Sequence, residues 1–377
     1  MLPGSLLDWL LQNSGPVIRW RTASELVKDF PPSELRLLKD DLLAFPGVQS
    51  WLDRLVVDMP NEPPDWSDAR VVRKLGWSVH SSQPSALENV LGKLSELGLR
   101  AGMPDLDERM LPLRQFFRWQ SERKGEAIYQ TAWESLVKSI FAWGLLHMGF
   151  KPDESMKEFL LQHLQLCHKI ARDQVYDLYA SDSELAGLPK AWAGKPILKQ
   201  EVMVNYFLPL IHDIYIFASF PEGLNDQENA GKIDDIITYI LDPRFQALQE
   251  GYGYAWIKER HTCYGWGWSP HLPHFQSLNF AKQPLAPVFI QRLELMSHFP
   301  RARRSPWFQG AVRHLDSSRT EQGMYRFPTG YLREQPSGYY VTGAYLGLGE
   351  NRRRPLSVEV ESTFRILKIL HAVDYNL

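Results

Sequence analysis

Apolar residues recur at a helical spacing in two long stretches of the chain. They lie three and four positions apart from 86 to 97 and again from 136 to 145, which places them on one face of a helix. Each stretch stops at a glycine, Gly98 or Gly149, and a Pro-Asp pair follows shortly afterwards. Glycine after a helix and proline before the next one are common helix boundaries. The pattern therefore predicts repeated pairs of amphipathic helices, in which the second helices lie at 107–119 and 156–170.

Looser copies of this pair continue towards the C-terminus. We predict helices at 202–217 and 233–241, and again at 288–299 and 307–315. Three intervening segments lack the helical period and are predicted to be loop inserts. They lie at about 179–199, 251–284 and 326–357. The sequence thus predicts an all-α fold with aromatic-rich loop inserts.

The length of the chain bears on its division into domains. At 377 residues it exceeds the size at which one compact core usually stops growing, which favours two domains. A repeat of helix pairs avoids this limit because each unit buries its apolar face on its neighbours. No linker and no shift in composition marks a boundary. We therefore expect residues 1–377 to form a single domain.

Composition and charge limit the classes of partner. The formal net charge of -2 gives no electrostatic footprint for nucleic acid, so no nucleic-acid partner is expected. No apolar run approaches the roughly eighteen residues of a membrane span, so we expect no transmembrane segment. The two cysteines, Cys167 and Cys263, do not make a disulfide framework, which favours a cytoplasmic protein. The oligomeric state stays open.

Three segments resemble parts of a known superfamily. Glu321-Gln322-Gly323-Met324-Tyr325, after a short helix, resembles the QW-type repeat of terpenoid cyclases and prenyltransferases, with tyrosine in place of tryptophan. Trp9-Leu10-Leu11 with Arg19-Trp20-Arg21-Thr22 looks like the opening of bacterial squalene-cyclase-like proteins of undefined activity. Glu361-Ser362-Thr363-Phe364 looks like their ending. The likeness is most specific from 305 to 370.

The resemblance implies an α/α toroid, which is a closed ring of helix pairs around a central cavity. It also implies an enzyme that acts on an apolar, isoprenoid-type small molecule in an aromatic-lined cavity. The alternative is a toroid without catalytic activity that binds a ligand or a protein partner. An open helical solenoid is disfavoured because the units vary in length and carry long inserts.

Two acidic pairs are candidates for protonating such a substrate. Class II terpenoid cyclases use a DxDD aspartate, and the nearest match is Asp105-Leu106-Asp107-Glu108, which ends in glutamate. Asp234-Asp235 forms the second pair. Acids at the start of a helix are also favoured as caps, so capping is the alternative for both pairs. The chain has no DDxxD motif for magnesium diphosphate.

A zinc site like that of protein prenyltransferases is only half represented. His261-Thr262-Cys263-Tyr264 matches the second part of that site, but the Asp-x-Cys part is missing. The other cysteine lies in Leu166-Cys167-His168. Zinc needs three or four protein ligands, and nothing in the spacing brings these residues together. We therefore predict no metal and no cofactor.

Aromatic residues concentrate in the second and third inserts. In a cyclase, their ring faces would stabilise carbocations. The alternative is that an insert plugs one end of the ring and simply buries its aromatic side chains. The predicted ligand-binding residues are Tyr254, Trp256, His261, Tyr264, Trp266, Trp268, Tyr339 and Tyr340.

Overall fold

The protein is mostly helical, as the apolar period predicts. The computed structural model of the chain describes residues 4–56, 68, 70, 74, 78–117, 128–280 and 287–374. Within these residues there are seventeen α-helices, several short 3-10 or π turns and one two-stranded sheet. The prediction of an all-α fold is therefore confirmed.

The helices are numbered here in chain order. They are α1 (Gly4–Asn13), α2 (Pro16–Arg21), α3 (Pro32–Ala44), α4 (Pro46–Leu52), α5 (Leu87–Glu96), α6 (Pro104–Arg109), α7 (Leu111–Phe116), α8 (Ile128–His147), α9 (Glu154–Arg172), α10 (Gln200–Asn205), α11 (Ile211–Ala218), α12 (Gln227–Ile240), α13 (Pro243–Gln246), α14 (Pro287–Met296), α15 (Pro300–Arg303), α16 (Pro306–Asp316) and α17 (Ser357–Asp374). The strands are β1 (Tyr254–Ile257) and β2 (Thr262–Gly265).

Acidic side chains start two of the long helices. The Asp153 carboxylate accepts a hydrogen bond from the backbone N–H of Met156 at 3.0 Å and caps α9. Asp226 caps α12 in the same way, through the N–H of Asn229 at 2.8 Å. Such a carboxylate satisfies an N–H that has no partner within the helix, and it faces the positive end of the helix dipole. The helix start predicted at the Pro-Asp pair after Gly149 is confirmed.

Two predicted helices are divided in the structure. The segment predicted as one helix at 202–217 forms α10 and α11, with Pro209 between them. Proline has no N–H to continue a helix, and the Asp213 carboxylate starts α11 by accepting the N–H of Leu210 at 2.7 Å. The helix predicted at 107–119 is divided into α6 and α7, and its last two residues lie outside the described ranges.

Five helices form a buried inner series. They contact one another in order, α5 with α8, α8 with α11, α11 with α14, and α14 with α17. Every residue of α5 is buried, and α11 and α14 are nearly as enclosed. A helix buried on all sides needs cover from a second layer. A second series of contacts joins α9 to α12, α12 to α15 and α15 to α16, and α16 also contacts α14 of the inner series. None of the described helices combines the length and apolar character that crossing a bilayer requires.

The first two inserts are joined through a small β-hairpin. Strands β1 and β2 pair antiparallel, with Tyr254 opposite Gly265. Ile197 of the first insert makes a parallel bridge to Tyr254. Ile197, Trp256 and Cys263 form a small apolar cluster that is separate from the main core. The hairpin therefore has its own minor core.

Candidate active site

A histidine and a glutamate are hydrogen-bonded at the start of α5. His80 lies in the segment before the helix, and Glu88 lies in its first turn. Nδ1 of His80 is hydrogen-bonded to Oε2 of Glu88. The Glu88 side chain is completely buried, whereas that of His80 remains 13% exposed. The imidazole is therefore the member of the pair that reaches solvent.

Trp268 fixes the tautomer of His80. The indole Nε1 of Trp268 lies 3.1 Å from Nε2 of His80. An indole N–H can only donate, so Nε2 of His80 accepts and carries no proton. The proton of the neutral imidazole is then on Nδ1 and is donated to Glu88. Trp268, His80 and Glu88 thus form a directed chain of hydrogen bonds, and the basic nitrogen of His80 faces the indole.

The charge of Glu88 is stabilised by two histidines. Burial raises the pKa of a carboxyl group, but His80 and His212, which carry charge when their rings are protonated, outweigh burial and lower the pKa of Glu88 to about 2. Nε2 of His212 lies 3.3 Å from Oε1 of Glu88. His212 is completely buried, and among the described residues neither of its ring nitrogens has an aligned hydrogen-bond partner. Glu88 is therefore ionised at neutral pH, with a second imidazole beside it.

The same three side chains are close enough to hold a metal ion. Ligand atoms of His80, Glu88 and His212 all lie within 4.8 Å of one another. A metal bound to Nδ1 of His80 would leave the proton on Nε2, and metal-bound histidines normally donate that proton to an acceptor. Trp268 offers Nε2 a donor instead. The hydrogen bonds therefore favour proton transfer over metal binding at this site.

A second buried cluster is already saturated by hydrogen bonds. Oδ1 of Asp213 accepts from the Ser139 hydroxyl at 2.8 Å and lies 2.8 Å from Nε2 of His163. Oδ2 of Asp213 accepts from the N–H of Leu210 at 2.7 Å. Burial, together with the charge of Asp213, raises the pKa of the Cys167 thiol well above its ordinary value. This cluster is a structural link between α8, α9 and α11.

A groove of about 710 Å³ opens beside Trp268. This volume is in the range of small-molecule sites. Part of the groove floor is bare backbone, and at Gly253 a Cβ would lie only 2.3 Å from the carbonyl oxygen of Pro196. The half-buried side chains of Tyr254, Trp266 and Trp268 line the groove. Trp268 therefore belongs both to the groove and to the hydrogen-bond chain that ends at Glu88.

The third insert contributes one tyrosine to this site and one to the interior. The ring of Tyr339 lies 4.8 Å from that of His80 and 5.1 Å from that of Trp268. Tyr340 is buried, and its hydroxyl donates to Oε1 of Glu96 at 2.9 Å. The insert therefore fills the space beside α5 with Tyr340 and places Tyr339 against the ring of His80.

Among the described residues, the interior beside α5, α14 and α17 is charged and closely packed. Arg365 of α17 lies 2.8 Å from Glu96 of α5 and 3.0 Å from Glu294 of α14. All three side chains are buried, and the two glutamates outweigh the effect of burial and raise the pKa of Arg365. The cavity next to them measures about 20 Å³, which is room for about one water molecule. Lys368 also lines it.

The acids predicted from the sequence lie at the surface. Asp105 is exposed in the first turn of α6. Asp107 is half-buried, and its carboxylate accepts the backbone N–H of Gly102 at 3.0 Å. Asp234 and Asp235 are exposed on α12. None of these four is among the residues that line the groove or the charged cavity. The positions of Asp105 and Asp107 fit the capping alternative.

Four of the predicted ligand-binding residues lie at the candidate site. They are Tyr254, Trp266, Trp268 and Tyr339. The other four lie elsewhere. Trp256 is buried in the hairpin core, His261 is exposed at the hairpin turn, Tyr264 is half-buried on β2, and Tyr340 is in the interior.

The two parts of the zinc-like pattern do not share a cluster. Cys167 lies with His163 and Asp213 in the main core, and Cys263 lies in the hairpin core. Two groups of described side chains are close enough to hold a metal ion, and neither contains His261 or Cys263.

The polar members of the site, His80, Glu88 and His212, are not predicted from the sequence. Glu88 lies beside Leu87 and within one turn of Val90 and Leu91, on a stretch predicted only as a core helix. A glutamate is almost never fully buried unless it is paired, so its position among apolar residues is the indication that could have found it. His212 lies in a similar apolar run.

Comparisons of this chain with protein-family models, with curated proteins and with solved structures find no match. Its function must therefore be inferred from the geometry of the site.

Proposed function

We propose that this protein is an enzyme in which the Glu88–His80 pair acts as a general base on a small molecule bound in the groove. The observation that carries the proposal is the directed hydrogen-bond chain from Trp268 through His80 to Glu88. A carboxylate that accepts the Nδ1 proton of a histidine holds the ring in one tautomer and stabilises the imidazolium that forms when Nε2 takes a proton. Nε2 faces Trp268, which lines the groove.

Substrate would have to replace the indole at this nitrogen. In the structure the N–H of Trp268 occupies the Nε2 lone pair of His80. An O–H or N–H group of a bound ligand can take the same position within hydrogen-bond reach, which is the geometry that general-base catalysis requires. Trp268 is half-buried, so a ligand in the groove contacts it directly.

We also propose that the inner helices close into the α/α toroid that the resemblance implies. The series of contacts from α5 to α17 supports this arrangement. The ion pair between Arg365 and Glu96 supports it further, because it joins the last helix of the series to the first.

An isoprenoid-type substrate is the proposal that follows from the resemblance alone. Its expected place is the interior, where the cavity of about 20 Å³ is lined by charged groups such as Glu96 and Glu294. An apolar chain packed against charged groups removes water from them at a cost in free energy, so the described part of the interior beside Glu96 and Glu294 is a poor site for a hydrocarbon. The groove is the better-supported binding place.

Ligand binding without catalysis is the second candidate function. The hydrogen bond between Trp268 and His80 favours it, because an occupied Nε2 has no free lone pair for a substrate proton.

The experiment is a metabolite screen on the whole protein. Compounds that raise its melting temperature are incubated with it and followed by mass spectrometry. We expect conversion of a bound compound by the wild-type protein, and a loss of about 10²–10⁴-fold in His80→Asn and in Glu88→Gln. His261→Asn, a change at an exposed histidine of the hairpin, is the matched control and keeps full conversion. Conversion that survives His80→Asn would refute the base, and binding without conversion would favour the second candidate.

A further inference from the structure

The residues that line the groove belong to a few chemical types. Among the described residues around it there is no leucine, isoleucine, valine, methionine or phenylalanine. Five glycines supply backbone, three aromatic residues supply rings, and the polar side chains are Lys195, Gln249 and Glu250. All three polar side chains are exposed. The twelfth described lining residue is Pro196, so the groove offers mainly flat rings and hydrogen-bonding groups, with one aliphatic ring.

This lining disfavours several classes of ligand. A hydrocarbon chain would find the ring of Pro196 as the only aliphatic side chain among the described lining residues. A phosphate group is usually bound by several cationic or N–H donors, and Lys195 is the only cationic side chain among the described lining residues. A quaternary ammonium ligand would compete with Lys195 itself, whose Nζ already lies 4.4 Å from the ring centre of Trp192 and 5.3 Å from that of Tyr254.

We infer that the groove binds a neutral saccharide, in the form of a short oligosaccharide. A pyranose has C–H groups on its faces and hydroxyl groups around its edge. The C–H faces complement the negative faces of Trp266 and Trp268. The hydroxyl groups can accept from Lys195, donate to Glu250, and do both with Gln249. The inference rests on the proposed function for what happens at His80, but the binding itself does not require that chemistry.

Two further observations agree with a neutral, hydroxylated ligand. Lys195 and Glu250 carry opposite charges, so the charged side chains of the lining cancel. A Cβ at Gly194 or Gly265, two exposed glycines of the lining, would meet nothing within 4 Å, so the missing side chains leave the backbone there open to a ligand.

The test is isothermal titration of the full-length protein with soluble oligosaccharides. The panel contains cellohexaose, xylohexaose, mannohexaose, maltohexaose and chitohexaose. We expect at least one to bind with a millimolar or lower Kd, and Trp266→Ala to weaken that binding at least about tenfold. Tyr206→Ala removes a half-buried tyrosine outside the groove and serves as the control, with a Kd unchanged within about twofold.

A second variant keeps the test valid if Trp266→Ala fails to fold. Gln249→Ala changes an exposed side chain of the groove and should weaken binding at least about threefold. The inference is overturned if no panel member binds, or if binding is unchanged in the groove variants. Its failure differs from failure of the proposed base. Binding of an oligosaccharide that is never converted would overturn the base alone, whereas conversion of a compound of another class, with no panel member bound, would overturn this inference alone.

Discussion

Glu88 carries its charge without contact with water, and this has a consequence for stability. The pKa of Glu88 in the folded protein is about 2, below the ordinary value of 4.5. A carboxyl group with a lowered pKa stabilises the fold above its ordinary pKa, and this stabilisation is lost as the pH falls through the folded pKa. We expect the free energy of unfolding to decrease between pH of about 4.5 and about 2 more steeply in the wild-type protein than in Glu88→Gln. Urea unfolding across this range measures both slopes, and equal slopes would contradict the assignment.

Trp268→Phe separates the two roles of the tryptophan. Phenylalanine keeps an aromatic ring in the groove but removes the N–H that occupies Nε2 of His80. Diethyl pyrocarbonate reacts with an unprotonated imidazole nitrogen that has a free lone pair. We expect it to modify His80 several-fold faster in Trp268→Phe than in the wild type, as measured by peptide mass spectrometry. Trp266→Phe is the control, and a shared rate in both variants would count against the hydrogen-bond chain.

At the level of single residues, the sequence predicts the aromatic part of the site and misses the polar part. Tyr254, Trp266 and Trp268 lie close together in the chain, so their local density is visible in the sequence. Glu88 and Trp268 are 180 positions apart in the sequence, and His80 links the two side chains by hydrogen bonds. Only the folded chain brings these groups together, and no local spacing indicates that Glu88 has partners.

Helix α5 and the third insert meet at a glycine. A Cβ on Gly92 would lie 2.3 Å from the ring of Tyr340. Alanine favours a helix by about 1 kcal/mol over glycine, but here it must displace the tyrosine. We expect Gly92→Ala to lower the free energy of unfolding by about 1–3 kcal/mol, as overpacking does. Chemical denaturation measures it.

A helix glycine without neighbours is the matched control. Gly231 lies in α12, and a Cβ there would meet nothing within 4 Å. Gly231→Ala should therefore raise the free energy of unfolding by about 0.5–1 kcal/mol. Effects of the same sign in both variants would show that Tyr340 does not restrict position 92.

At the level of elements, the spacing of apolar residues predicts the positions of most helices but does not predict where a helical stretch is divided into two helices. The spacing from 202 to 217 is continuous, yet α10 and α11 are separate. What divides them is Pro209 and the hydrogen bond from Leu210 to Asp213, which are matters of backbone chemistry. A hydrophobic period carries no information about either.

The whole molecule depends on a buried charge that joins distant helices. Without Arg365, Glu96 and Glu294 would be left buried with less compensation. We expect Arg365→Met to lower the free energy of unfolding by about 3–5 kcal/mol. Arg244→Met is the control, because the Arg244 side chain is 58% exposed in its pair with Asp242, and a much smaller loss is expected. Urea unfolding of both variants tests this, and similar losses would contradict the role of Arg365.

At the level of the whole molecule, the sequence predicts the all-α class from its periodicity, whereas the arrangement of the helices is expected only from a resemblance to a known superfamily. Helical class follows from local spacing, which any segment displays by itself. The order in which helices meet depends on contacts such as Arg365 with Glu96, which are 269 positions apart. No local sequence pattern indicates such a pair, because each partner by itself is simply a charged residue within an apolar helix.

The sequence separation between Glu96 and Arg365 also delays the formation of their ion pair while each new chain is synthesised. At a synthesis rate of roughly 5–20 residues per second, Arg365 leaves the ribosome some tens of seconds after Glu96. Tyr340, which fills the space beside α5, is delayed almost as long. During that interval Glu96 lacks the ion pair with Arg365, and the part of α5 that Tyr340 covers lacks that cover. Hydrophobic surface exposed in this way makes an unfinished chain prone to aggregation.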